Sequence, residues 1–192
     1  MISNGEIGQA CRHQRRMAAS SSPDTPLTHF TETGRARMVD VSQKTSTQRT
    51  AIASGLLRMR PATLARIHDG SIAKGNVLAV ADVAAVLAAK RTPDLIPMCH
   101  SLPLNGVEIS FGEVSELDHS GCVGLSVRVT VKCTGLTGVE MEALCATSVA
   151  LLTVYDMCKA IDKAMRIEHI QLEEKWGGKS GTWLRSEQVK ND

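Results

Sequence analysis

Residues 125–132 alternate without a break: Leu125, Val127, Val129 and Val131 fall on one side, Ser126, Arg128, Thr130 and Lys132 on the other. A repeat of two marks a strand with one face buried and one in water, paired in an antiparallel sheet. Such a face needs a second layer to cover it. The element that follows is suited to the task. Residues 138–163, GVEMEALCATSVALLTVYDMCKAIDK, read as one long helix made mostly of Ala, Val, Leu and Met. That helix nevertheless keeps Glu140 and Glu142 near one end and Asp156 and Lys159 near the other.

The remaining elements complete a recognisable order. RTAIASGLLRM (49–59) is apolar and partly β-branched and predicts a strand. Pro61 then opens a helix that Gly70 closes. Residues 75–91 are Ala-rich and apolar on most sides, which predicts a helix with little exposed surface. NGVEISFGEV pairs with the alternating strand through the polar turn SELDHS. Thr137 followed by Glu140 predicts a capping box at the start of the long helix. Residues 165–175 predict a closing strand with a bulge near His169, where the alternation slips phase. Strand, helices, strand, strand, helix, strand is the α+β, ferredoxin-like βαββαβ pattern: an antiparallel sheet with helices packed on one face. Residues 1–36 are polar and aperiodic and predict a flexible N-terminal extension. Residues 37–176 form the single domain that carries any chemistry, and 177–192 a Gly-rich, charged and mobile tail.

Bulk properties narrow the function classes. Twenty-two Lys and Arg against twenty Asp and Glu leave a net charge of +2, too balanced for a large field toward nucleic acid or membrane. The sequence lacks the run of about 18 apolar residues that spans a bilayer. The first residues lack the apolar core of a secretory signal, although Arg12, Arg15 and Arg16 among serines keep an organelle-targeting reading open beside that of a bacterial extension. Six cysteines, none in a C-x-x-C pair, read as free thiols in a reducing compartment, and the cytoplasm is the expected address.

The candidate residues for chemistry are ionisable groups in irregular or terminal positions. At 100° per residue, Glu142, Asp156 and Lys159 share an arc of about 100°, yet Glu142 and Asp156 lie about 21 Å apart along the axis. Either the two ends do separate jobs, or a neighbouring chain brings one end of its helix to the other end of this one. Asp156 and Lys159 are a surface ion pair or a partly desolvated acid–amine pair suited to proton transfer. Lys74 precedes a helix start and is a solvated turn lysine or an anion site. His100, between prolines in PDLIPMCHSLPL, reads from its own context as structural. Gly178-Lys179-Ser180 imitates the end of a P-loop, but the first glycine of that motif would fall on Glu173. A flexible arm with Lys175 and Lys179 can still wrap phosphates. Arg49, Lys74, Lys159, Lys175 and Lys179 outnumber the acids around them. That balance suits a polyphosphate substrate with proton-transfer chemistry at its sugar or base, and requires no redox cofactor or metal.

MVDVSQK, KGNV, LIPMCH, TGVEMEAL, TVYDMCKA and GGKSG occur in this order. Together they resemble the cyclic pyranopterin monophosphate synthase family, the second enzyme of molybdenum cofactor biosynthesis, from about Leu27 to Trp183. The resemblance implies a ferredoxin-like fold and a homohexamer built as three dimers. The implied activity is that of a lyase without cofactor, converting a cyclised dihydroguanosine triphosphate made from GTP into cyclic pyranopterin monophosphate and pyrophosphate. It implies Asp156 as the acid or base and Lys74 and Lys159 as essential lysines. Met98, Cys99, His100, Met141 and Glu142 become substrate-binding residues, with Arg49, Glu140, Lys175 and Lys179 at further site positions. The family usually carries leucine where Met98 stands, a change of similar volume. Glutamates at one end of the helix suit the N–H donors of an aminopyrimidine, and lysines suit its phosphates.

Two other classes share the fold. A non-catalytic nucleotide-binding regulatory module would tolerate loss of Asp156 or Lys159. An RNA-binding domain needs aromatic rings on its sheet, and this chain has 3% aromatics with VRVTVKC where the rings would stand.

Overall fold

The structure, a computed structural model, describes residues 34–179 and 181–185. The predicted N-terminal extension therefore lies almost wholly outside the described residues. The elements run β1 (Thr47–Met59), α1 (Pro61–His68), α2 (Val77–Lys90), α3 (Thr92–Leu95), β2 (Leu104–Val114), β3 (Val123–Gly135), α4 (Glu140–Cys158), β4 (Arg166–Trp176) and β5 (Trp183–Leu184). The sheet order is β2-β3-β1-β4-β5, and every neighbouring pair is antiparallel. β1 and β2 are thus parallel with β3 between them, and β3 and β4 parallel with β1 between them. This is the doubly split βαβ arrangement that the element order predicts.

Period-two burial places Ala51, Ala53, Leu57 and Met59 of β1 beside Leu125, Val127, Val129 and Val131 of β3 on one face. α4 packs over β1, β3 and β4, while α2 packs against α4 and reaches β2. The facing surfaces are built from small residues: Ala81, Ala85 and Ala89 on α2, and Ala143, Ala146 and Ala150 on α4. α4 approaches the sheet closely at Gly55. A Cβ there would lie 2.7 Å from Leu151 Cδ1, 3.0 Å from Thr147 Cγ2 and 3.0 Å from the His169 carbonyl. The missing side chain is what lets the helix lie flush on β1.

Several local expectations need correction. The capping box does not form. Val139 is the N-cap and no side chain caps the helix, because the Glu140 carboxylate instead pairs with Lys175 Nζ at 2.9 Å. A charge-assisted bond of this kind is stronger than a neutral one. The long helix ends at Cys158, five residues short of the predicted end. α2 is not fully covered either: Val80, Val83 and Leu87 lie exposed along one side, and Leu152 of α4 is exposed as well. The described residues supply only one covering layer, and α2 turns its alanine side to it. The bulge in β4 occurs where predicted, since pairing jumps from His169 to Ile167, and a second jump passes Glu173. Beyond it, the stretch expected to be mobile adds β5 to the sheet. Arg185 anchors it by donating to the Leu172 carbonyl at 2.7 Å and stacking over the Trp183 ring.

Asp162 ties the end of α4 to the start of α1. It is 3% exposed, accepts from the Arg60 N–H and the Thr63 hydroxyl at 2.9 Å each, and pairs with the Arg60 guanidinium at 3.4 Å. Burial alone would raise its pKa, but these donors reverse that and hold it below the ordinary aspartate value. Asp162→Ala is expected to cost about 2–3 kcal/mol in urea unfolding at neutral pH, since it strands one buried and one part-buried donor. A lowered pKa places the stabilisation above the unfolded-state value and removes it as pH falls through the folded one. The gap between wild type and variant should therefore close as acid protonates Asp162.

Candidate functional site

A groove opens where the start of β1, the β3–α4 connection and the end of β4 converge. It encloses about 800 Å³, and Arg49, Thr137, Glu140, Lys175 and Lys179 line it. A second cavity of about 290 Å³ adjoins it, lined by Met98, Cys99, His100, Met141 and Glu142. Lys44, Thr137, Gly138 and Glu140 border both, so the two are compartments of one cleft. Nine of the twelve residues singled out from the sequence meet here. Read from the sequence alone, Thr47 and Trp176 carry no distinguishing signal, Lys44 only closes the MVDVSQK motif, and Thr137 reads as half of a capping box rather than as a site residue. They enter because the ends of distant strands meet.

The cleft is electrostatically divided. Lys44, Arg49, Lys175 and Lys179 line the larger compartment. Only one of them, Lys175, forms an ion pair with a carboxylate of the cleft, that of Glu140. The smaller compartment carries the buried carboxylate of the cleft. Glu142 is 3% exposed, and burial, reinforced by the charge of Glu140, pushes its pKa up. Burial likewise raises the Cys99 and Cys145 thiols, and the charge of Glu142 adds to the shift. Cys99 is therefore a protonated thiol rather than a nucleophile. His100 Nε2 lies 2.8 Å from the Val39 carbonyl. A carbonyl only accepts, so Nε2 is the donor in this contact.

Gly138 shapes the wall between the compartments. A Cβ at this position would fall 1.8 Å from a Glu140 carboxylate oxygen, so the glycine makes room for that carboxylate to fold back against the chain.

The other three predicted residues form a separate cluster at the far end of α4. Lys74 Nζ donates to Asp156 Oδ2 and to the Asp156 carbonyl, each at 2.9 Å. Lys159 Nζ donates to Asp156 Oδ1 at 2.5 Å. The sequence leaves Lys74 open between a solvated lysine and an anion site; in the fold it is drawn onto a carboxylate. Desolvation is the weakest influence on Asp156, whose side chain is 56% exposed. Its apolar neighbours Val154, Met157 and Cys158 turn inward and leave it on the outer side. The bond from Lys159, then that from Lys74, lowers the Asp156 pKa to about 2. Asp156 in turn raises that of Lys159. At neutral pH the cluster is one carboxylate held between two ammonium groups. Fourteen residue steps of unbroken helix separate Glu142 from Asp156, or about 21 Å.

Among the described residues, no group of three His, Cys, Asp or Glu side chains is arranged to hold a metal ion. The cleft offers cations at one side and paired carboxylates at the other. That pattern fits a ligand with several phosphates and a ring bearing N–H donors.

Comparison with known proteins decides between the classes that share this fold. The MoaC family profile matches residues 38–178. The chain belongs to the MoaC family. Its curated relatives include the cyclic pyranopterin monophosphate synthases of Brevibacillus brevis, 58% identical over 84% of this chain and 97% of the relative, and of Heliobacterium modesticaldum, 57% identical over 84% and 99%. That of Desulfitobacterium hafniense is 55% identical over 86% and 98%. The matched MoaC region contains the Lys74–Asp156–Lys159 cluster and all of the cleft lining except Lys179, and the chain is an enzyme.

A buried carboxylate with a raised pKa favours the folded state only while protonated, and that contribution is lost as pH rises through the folded value. Glu142→Gln is therefore expected to raise the melting temperature at pH 8 and to leave it little changed at pH 4. Thermal melts at the two pH values check this. Turnover should fall in the same variant, because the amide cannot supply a carboxylate to the ligand.

Proposed function

We propose that this chain is a cyclic pyranopterin monophosphate synthase, a lyase that takes a cyclised dihydroguanosine triphosphate and releases pyrophosphate as it forms the cyclic phosphate and the tricyclic pterin. The observation that carries this reading is the pairing, within one cleft, of four cations with two glutamates, one half-buried and ion-paired and one buried. The cations Lys44, Arg49, Lys175 and Lys179 take the triphosphate and offset the charge that develops on the leaving pyrophosphate. Glu140 and Glu142 accept the ring N–H groups. His100, Met98, Cys99 and Met141 pack around the ring.

Asp156, held ionised, does not donate protons near neutral pH; it orients and retains the two ammonium groups. Lys74 and Lys159 are then the proton donors to the rearranging sugar and ring. Cyclisation joins a sugar oxygen to the first phosphorus and breaks that phosphorus–oxygen bond to pyrophosphate. The hydroxyl proton passes to a base in the site.

The cluster and the cleft lie too far apart on one chain to hold a single pterin-sized molecule. The working site therefore combines the cleft of one subunit with the cluster of another, in a homohexamer of three dimers. The exposed apolar side of α2, whose N-terminal end follows Lys74, is surface of the kind such an assembly covers. We assign the enzyme to the cytoplasm. Of the described helices, α4 alone has the length and hydropathy to cross a membrane, and its inward residues form the core.

The direct test is to incubate the protein with the cyclised intermediate and measure pyrophosphate and pyranopterin. Absence of both products from folded, assembled protein would favour a regulatory nucleotide-binding module. Subunit sharing has its own test. Glu142→Ala and Asp156→Ala should each be inactive and each assemble to wild-type size. Mixed under conditions where labelled subunits exchange, they should recover part of the activity. No recovery despite exchange would place the whole site on one chain.

A further inference from the structure

Arg49 enters the cleft with little polar support. Its Nη2 has only a long bond, 3.4 Å, to the Leu136 carbonyl, and its Nε is buried without a hydrogen-bond partner. Steric contact holds the guanidinium instead. Gly177 and Gly178 follow β4 with φ of 95° and 75°, and their backbone lies directly against the Arg49 side chain. A Cβ on Gly178 would fall 1.6 Å from Nη1, 2.4 Å from Cζ and 2.9 Å from Nη2. The Gly181 N–H donates to the Gly178 carbonyl at 3.2 Å, closing a tight turn that carries Lys179. The position of one cation and the path of the arm bearing the next are thus set by the same contact.

We propose that Gly178 is a positioning residue for polyphosphate. Its bare Cα seats the Arg49 guanidinium, so that Arg49 and the arm 177–179 engage phosphate as one unit. This rests on reading the larger compartment as the polyphosphate site. The two neighbouring glycines differ in what a side chain would displace. At Gly177 a Cβ meets the Gln48 backbone carbonyl at 2.1 Å, so substitution there disturbs the strand itself. At Gly178 it meets the movable end of an arginine, so the fold survives while the cation shifts. Gly181 is the matched control, with φ of 67° and nothing within 4 Å of an added Cβ. It carries the same backbone strain without the contact.

The experiment measures inorganic pyrophosphate binding by calorimetry, kcat and KM, and melting temperature for Gly178→Ala, Gly181→Ala, Arg49→Ala and the Gly178→Ala/Arg49→Ala double variant. Gly178→Ala is expected to weaken pyrophosphate binding about tenfold and to raise KM, as displacement of one charge-assisted contact would. Gly181→Ala should lose the same few degrees of melting temperature but keep wild-type binding. In the Arg49→Ala background, adding Gly178→Ala should change binding less than about twofold, because the group it positions is gone. Equal binding by Gly178→Ala and Gly181→Ala, or additive losses in the double variant, would overturn the proposal and leave the site reading intact. Normal pyrophosphate binding by Arg49→Ala would overturn both. Should Gly178→Ala fail to fold, the double variant decides: recovery of folding on removal of Arg49 supports the contact, and continued misfolding assigns Gly178 a purely structural role.

Discussion

The approach of α4 to β1 at Gly55 sets the spacing of the other layers. With no side chain there, Leu151 and Thr147 reach the sheet, and the alanine faces of α2 and α4 close over it. A helix lying this close cannot tilt without driving side chains into backbone. It is therefore a rigid bar with defined ends. One end presents Glu140, Met141 and Glu142 to the cleft, and the other presents Asp156 and Lys159 to the outer surface. The functional groups inherit their precision from an apolar contact that touches none of them.

Burial gives the two ends opposite electrostatics. Glu142 lies within the packing, where water cannot stabilise its charge, and its pKa rises. Asp156 is solvated and flanked by two ammonium groups, and its pKa falls. Two carboxylates on one helix are thereby pushed apart in acidity, as sites with distinct roles for similar groups require. The raised Glu142 is a cost to the fold, and it lies where the ligand is expected. Strain of this kind concentrates at functional positions.

Much of the fold is legible from local pattern. The alternation of β3, the Pro61 and Gly70 boundaries of α1 and the slip near His169 each follow from nearest-neighbour chemistry, and each is found in place. The failures have a common cause. Thr137 and Glu140 form a sound capping signal, but Lys175, thirty-five residues away, offers the carboxylate a stronger partner. α2 reads as a covered helix because composition records apolar character, not how many layers the chain supplies. β5 is too short to show any periodicity, and exists because β4 offers it an edge.

By itself the sequence determined the order of the main elements from β1 to β4, the identity of the family and most of the ionisable residues of the site, since these depend on residue type and on spacing along the chain. Only the tertiary structure decided how those residues divide. It gathered Arg49, Glu140, Lys175 and Lys179 with the residues around His100, left Lys74, Asp156 and Lys159 at the other end of α4, and brought in Lys44 and the two close-packed glycines. The reason is geometric. Proximity in the cleft comes from the ends of strands whose pairing spans the whole chain, and a steric seat such as that of Arg49 on Gly178 has no representation in local sequence.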